Sequence, residues 1–275
     1  MRIFGHRLSP SACIGIAIVA INLAAAIMAP VFAPFGEADL IGQVWAPPSS
    51  HFLLGLDNLG HDIFSRILFG ARTTISIALL VSLLSFTIGT LMGFAAAVMG
   101  GAIDALLSGL INVTMAIPTL IFSLVILSIF GTSIPVLVLT IAILDSTRVF
   151  RLSRALGKNI SVMEYVEAAR MRGEKLWWLM RREILPNVLP PLAAEFGLRF
   201  CFVFLFIAAL SFLGIGIQPP RADWGGMVRD NAQAINFGGM AALFPAIAIA
   251  QLAIGVNLLV DWFIALYSQH KTKET

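Results

Sequence analysis

Charge divides this chain. Residues 8–36, 73–103, 105–144, 200–220 and 231–260 contain no Asp, Glu, Lys or Arg. About 20 apolar residues cross a hydrocarbon core ~30 Å thick, and in lipid a helix satisfies its own backbone. Four of these runs each hold one span. The run 105–144 is too long for one helix, and Gly131-Thr132-Ser133-Ile134-Pro135 cuts it with a turn signal. The expectation is an all-α membrane protein with six transmembrane helices, near 12–32, 73–99, 105–129, 134–150, 196–217 and 242–267. Composition agrees: 59% of the 275 residues are hydrophobic and 12% charged, against about 25% charged in soluble domains.

Lysine and arginine in the connecting segments set the orientation. With the N-terminus inside, the cytoplasmic segments carry Arg2, Arg7, nine basic residues between Arg148 and Arg182, and Lys271 and Lys273. The outside segments carry Arg66, Arg72, Arg221 and Arg229. Both termini are therefore expected in the cytoplasm, with outside segments at about 33–72 and 218–241 and an inside loop at about 151–191. The net charge of +3 is then a topology signal, and no nucleic-acid motif accompanies it. The first apolar stretch exceeds the 7–15 residues of a signal peptide core, so it reads as a retained anchor. Cys13 and Cys201 fall within spans, and the four histidines (His6, His51, His61, His270) are scattered without metal-ligand spacing.

The inside loop stands out because membrane proteins of this size join their spans with short turns. Ser161 followed by Glu164 matches a capping box, which predicts a helix over 162–172. Gly173 follows as a left-handed terminator. A second helix is expected from about 174 to 184, ending at Pro186. Two short helices set at an angle by one glycine would form a rigid elbow. Ala168 and Ala169 would allow close approach, and Glu167 would offer a carboxylate to a partner's arginine. An amphipathic basic helix lying on the lipid surface is the alternative.

These residues resemble a known family. Glu167-Ala168-Ala169, then Gly173, then Ile184-Leu185-Pro186-Asn187 is similar to the coupling loop of ABC importer permeases, more narrowly the dipeptide/oligopeptide/nickel branch. Two further stretches carry the same resemblance. One runs from Leu54-Gly55-Leu56-Asp57 through His61-Asp62-Ile63-Phe64-Ser65-Arg66 to Gly70-Ala71-Arg72. The other is Ser211-Phe212-Leu213-Gly214-Ile215-Gly216-Ile217-Gln218-Pro219-Pro220 with Trp224-Gly225. The chain departs from the branch's usual pattern at Leu56, His61 and Asp145. The resemblance implies a type I importer permease in a bacterial inner membrane. It would import short peptides or peptide-like solutes, with nickel complexes, opines and sugars as alternatives. It further implies a second homologous permease, two ATP-binding subunits and an extracytoplasmic substrate-binding protein as partners. Glu167, Ala168, Ala169, Gly173, Ile184, Leu185 and Pro186 would be the ATPase-coupling residues. ATP and Mg would sit on the partner ATPases, with no cofactor in this chain.

The chain's own residues offer no nucleotide site and no catalytic set. Gly157-Lys158-Asn159 lacks the glycine spacing and the Ser/Thr of a phosphate loop. An intramembrane enzyme would need a nucleophile with its base or a metal cluster at membrane depth. A secondary transporter would need inverted repeats and embedded ion ligands. Ionisable groups near span ends are functional suspects: Asp145, Glu195, Arg199 and Asp261. Glu195 and Arg199 have i,i+4 spacing, so Asp145, Glu195 and Arg199 are candidate gate or structural charges. Asp104 reads as a helix N-terminal carboxylate. Gly89 with Gly93 and Gly214 with Gly216 suit close packing within the chain or against a partner. Residues 51–72 and the stretch around Arg221 to Trp224 would either receive ligand or a binding protein, or pack as structured loops.

Overall fold

The computed structural model describes the backbone of residues 2–3, 6–7 and 9–274 and the side chains of residues 9–266. His6, His270 and the terminal charges used for orientation, Arg2, Arg7, Lys271 and Lys273, have side chains outside that description. Apart from a two-residue ladder pairing Arg2–Ile3 with His6–Arg7, the described elements are helical. They are α1 (Pro10–Phe32), α2 (Ile63–Met99), α3 (Gly101–Ala116), α4 (Thr119–Phe130), α5 (Ile134–Ser161) and α6 (Glu164–Met171). Next come α7 (Leu176–Trp178), a π-helix (Leu179–Ile184), α8 (Leu185–Phe212), α9 (Trp224–Asp230), a 3-10 turn (Ala232–Phe237) and α10 (Leu243–Glu274).

Local chemistry sets the helix starts. Ser9 accepts from the Ala12 amide at 3.2 Å and is followed by Pro10, whose fixed φ suits a first helical position. Asp62 caps α2 by accepting from the Ser65 amide at 2.8 Å, and Asp223 caps α9 through the Gly226 amide at 2.8 Å.

Four helices are long and apolar enough to cross a membrane: α1, α2, the continuous Leu176–Phe212 segment, and Leu243–Leu266 of α10. Three differences from the sequence reading concern the long helices. The expected third span is broken: α3 and α4 meet at 86°. Pro118 has no N–H to offer the preceding turn, and Ile117 before it is extended (φ −90°, ψ 129°), as a pre-proline residue prefers. The expected fourth span does not stop at Phe150 but runs on as α5 to Ser161. Its apolar half ends at Asp145, and four arginines or lysines follow at 148, 151, 154 and 158, so α5 is amphipathic. Finally, Pro186 does not end the elbow's second helix. It lacks the N–H that would reach Arg182, and the helix widens by one residue instead, with the Leu185 amide donating to the Met180 carbonyl. The chain then continues through Pro190 and Pro191 to Phe212 as one helix.

The core sits around α2, which packs along α5 and also touches α1 and α8. Lipid tails are as apolar as leucine, so helices here associate by close fit rather than by escape from water. The glycines show that fit. A Cβ on Gly89 would lie 2.6 Å from the Val149 Cβ, and one on Gly93 2.8 Å from the Phe150 carbonyl oxygen. Gly89 and Gly93 thus serve packing between α2 and α5 of this chain. Gly15 and Gly255 bring α1 against α10 in the same way, the Gly15 position lying 2.9 Å from the Gly255 carbonyl oxygen.

Candidate functional site

The elbow rests on the ends of α2 and α5. Val166 and Ala169 of α6 are fully buried and pack with Leu179, Ile160, Val98 and Trp178. Arg170 ties α6 to the end of α2, its Nη2 donating to the Val98 carbonyl at 3.2 Å. Gly173 adopts φ +83°. Its amide donates to the Arg170 carbonyl at 2.9 Å, and the Glu174 amide to the Ala169 carbonyl at 3.2 Å. That pair of bonds is a Schellman motif, closing α6 and turning the chain into α7. The expected capping box is absent. Ser161 Oγ donates to the Lys158 carbonyl at 3.0 Å, and Met163 occupies the cap position without a side-chain bond. Ser161 is thus spent on finishing α5, and α6 starts two residues later than its spacing suggested.

The seven coupling candidates divide by burial. Glu167, Ala168, Gly173 and Pro186 are exposed, and Leu185 is half-buried. Ala169 and Ile184 point inward, Ile184 into a cluster with Phe94, Met180, Val188 and Leu192. Ala169 therefore supports the elbow from beneath. Sequence reasoning missed the apolar residues beside Glu167: Val162, Met163, Tyr165 and Met171 are all exposed, Met171 at 86%. Their signal was available, since Tyr165 and Met171 occupy α6 positions that Val166 and Ala169 leave facing away from the core, and Val162 and Met163 directly precede the helix.

A second group lies between α2, α5 and α8. Arg199 Nε stands 2.8 Å from Glu195 Oε1, and its Nη1 stands 3.7 Å from Asp145 Oδ1. Ser85 Oγ donates to Asp145 Oδ2 at 3.1 Å. Arg148 joins them, its guanidinium 4.3 Å above the centroid of the Phe202 ring, with Arg199 at 5.4 Å from the same centroid. The i,i+4 pair is therefore part of a four-charge cluster spanning two helices. Arg148, Ser85 and Phe202 had not been singled out, because nothing in their spacing relates α2, α5 and α8. Asp261 lies exposed on α10, apart from this group. Asp104 sits inside the first turn of α3 rather than at its cap. It holds α3 to α5 by accepting from Arg154, whose Nη2 is 2.7 Å from Oδ2, and from Lys158 Nζ at 2.7 Å.

The two other motif stretches meet at the opposite end. Asp57 Oδ1 accepts from the amides of Leu59 and His61, both at 2.9 Å, and Oδ2 accepts from Arg66 Nη1 at 3.0 Å, with His61 Nδ1 2.9 Å from Oδ2 and 2.7 Å from Arg66 Nη1. Asp57, His61 and Arg66 are all buried. Asn231 Oδ1 accepts from the Asn58 amide at 3.0 Å, joining this knot to the segment after α9. Trp224 is buried, and its Nε1 donates to the Ile67 carbonyl at 3.0 Å. Thr74 Oγ1 donates to Asp223 Oδ1 at 2.9 Å. Burial pushes the Asp223 carboxyl above its ordinary range, against the Gly226 amide and neighbouring hydroxyls that favour the anion. Residues 51–62 form a structured loop leading into α2, and the start of α2 is bonded to the segment around Asp223 and Trp224. Cys13 and Cys201 are free thiols, and no group of three metal-ligating side chains occurs among the described residues.

Apolar helices long enough to cross a membrane and an exposed helical elbow carried on them define a membrane component. Residues 85–273 match the family described as "Binding-protein-dependent transport system inner membrane component". The chain belongs to that family and is a permease component of a binding-protein-dependent ABC importer. It is 31% identical over 265 residues to the dipeptide transport system permease protein DppC of Haemophilus influenzae, covering 94% of this chain and 90% of that protein. It is 33% identical to the probable D,D-dipeptide transport system permease protein DdpC of Escherichia coli, covering 81% and 74%. The glutathione transport system permease protein GsiD of Pectobacterium atrosepticum is also 33% identical, covering 78% and 71%. Among solved structures, the crystal structure of an amino acid ABC transporter with histidines superposes with a TM-score of 0.50 at 23% identity. It covers 75% of this chain and 94% of that one, a likeness of fold.

Proposed function

We propose that this chain forms one half of an ATP-driven import pathway for short peptides in a bacterial inner membrane. Six crossings, made by the four long helices, the bent α3–α4 pair and α5, place both termini in the cytoplasm. This orientation is supported by the basic residues between Arg148 and Arg182, which fall in the second half of α5 and along the elbow. The pathway's other half is a second homologous permease, with two ATPase subunits below and a substrate-binding protein above. ATP and Mg are bound by the ATPases. Peptide as the solute is supported by relatives named for dipeptide, D,D-dipeptide and glutathione transport.

The observation that carries coupling is the elbow, with a buried underside and an exposed Glu167 beside exposed methionines. Glu167 reaches an arginine of the ATPase, Ala168 lets the surfaces approach, and Gly173 fixes the angle through its left-handed turn. Ala169, Ile184, Leu185 and Pro186 hold the elbow on the bundle. When ATP draws the two ATPases together, the elbow moves with them and transmits that motion to α5 and α8. Asp145, Glu195 and Arg199 lie where those helices meet and hold them in register.

The test is to tag the N-terminus, solubilise native membranes gently and identify co-purifying proteins by mass spectrometry. Two ATPase subunits and a second permease are expected, with the ATPases lost from a Glu167→Ala, Gly173→Val double variant. A chain that purifies alone, under conditions that preserve a known complex, contradicts the proposal.

A further inference from the structure

Arg148 lies about 21 Å along the α5 axis from Ile134, at 1.5 Å per residue. On the six-crossing reading, which this inference depends on, that depth is within a hydrocarbon core ~30 Å thick. A guanidinium there faces protein or a water-filled cavity, not lipid. Arg148 is half-buried and stacked 4.3 Å above the Phe202 ring, and no carboxylate among the described side chains comes within ion-pair distance. Both acids of its cluster stand closest to Arg199, and Asp145 also attracts Arg148 from beyond ion-pair distance. The ring attracts the guanidinium, and no hydrogen bond among the described residues takes up its N–H groups. One turn further along α5, Arg151 also lacks a carboxylate, and with Arg154, Ser108 and Asn112 it lines a cavity of about 400 Å³. Two arginines at i,i+3 with no carboxylate in hydrogen-bonding contact repel each other, an arrangement that an arriving anion relieves.

We propose that Arg148, steadied on Phe202, receives the C-terminal carboxylate of the peptide within the translocation pathway and passes it toward the cavity beside Arg151. A planar guanidinium matches a carboxylate in a two-pronged pair. The unbonded N–H groups of Arg148 make the stop favourable, and the nearby Asp145 and Glu195 keep it weak enough to leave.

The experiment uses the whole complex in proteoliposomes with its loaded binding protein, ATP and radiolabelled di- and tripeptides. Arg148→Cys is made in a Cys13→Ser background, since Cys13 is exposed and Cys201 buried. Peptide uptake is expected to fall at least about tenfold, the scale of one lost charge-assisted hydrogen bond. Aminoethyl methanethiosulfonate, which restores a positive charge at the new thiol, should recover uptake, and the sulfonatoethyl reagent should not. Saturating loaded binding protein with ATP should slow the labelling. Unchanged uptake, a thiol that neither reagent reaches, recovery by both reagents or by neither, or labelling that peptide does not slow each overturn the assignment. The last result points instead to an acid of the second permease. If Arg148→Cys does not assemble, Arg148→Lys keeps the charge without the planar fork. It should lower uptake several-fold in an intact complex, and unchanged uptake again overturns the assignment. A wild-type complex that imports no peptide brings down the proposed function itself, whereas wild-type import with indifferent variants brings down only the role of Arg148.

Discussion

The two ends of this molecule spend their polar residues in opposite ways. At the end holding Asp57 and Asn231, the side chains of a conspicuous motif turn inward and bond one another. Asp57 gathers three donors with His61 Nδ1 beside them, and Asn231 fastens that loop to the segment after α9. At the elbow, Val166 and Ala169 go inward, while Glu167 and Ala168 are left on the surface with apolar neighbours. Both stretches are equally visible as motifs. The first needs its residues to hold a fold, and the second holds its fold with other residues and keeps the motif for something else.

Substitutions sharpen this contrast, the largest effect first. Asp57→Ala leaves Arg66 buried and uncompensated, and breaking a buried pair from one side costs about 3–5 kcal/mol. The purified complex should show a large fall in thermal midpoint or not accumulate at all. A midpoint like wild type would mean that the outer knot is not structural. Gly89→Val forces side-chain atoms into Val149 at the α2–α5 crossing, where overpacking costs about 1–3 kcal/mol. Its mark is reduced stability whatever the transport rate, read from denaturation in detergent. A Cβ at Gly173 meets no neighbouring atom within 4 Å, so the main cost of Gly173→Val is the left-handed backbone, about 1–2 kcal/mol. Insertion and global stability should survive while transport is lost, and Gly173→Asn should retain transport because asparagine tolerates that conformation. Smallest in stability is Glu167→Ala, which should leave the thermal midpoint unmoved and still weaken recovery of the ATPases. An equal loss of stability at Glu167 and Asp57 would erase the distinction between the two ends.

Legibility in the sequence followed the range of the physics. Charge-free runs located α1, α2, α8 and α10, because hydrocarbon thickness acts on each segment alone. Gly173 was legible for the same reason: a terminating glycine needs only its own helix. Ile117-Pro118 was an equally local signal, outweighed by the apolar run around it, and the break in the third span went unread. The extension of α5 to Ser161 depends on support from α2, where the Gly157 position faces Ala97 and Phe94. No window of α5 records that. Pro186 reads as a stop, but a one-residue widening of the helix absorbs it. In the site, the Glu195–Arg199 pair could be read from i,i+4 spacing, whereas Arg148 meets Phe202 from another helix 54 residues away. Burial separates Ala168 from Ala169, neighbours that a motif treats as one unit.

The most direct test of coupling through the elbow is ATPase activity of the reconstituted complex, with and without loaded binding protein, for wild type, Gly173→Val and Gly173→Asn. The expected result is stimulation in wild type and Gly173→Asn and none in Gly173→Val, at matched thermal midpoints and matched permease content. Full stimulation in Gly173→Val would contradict the account, because the left-handed turn would then have no part in transmitting the ATPase motion.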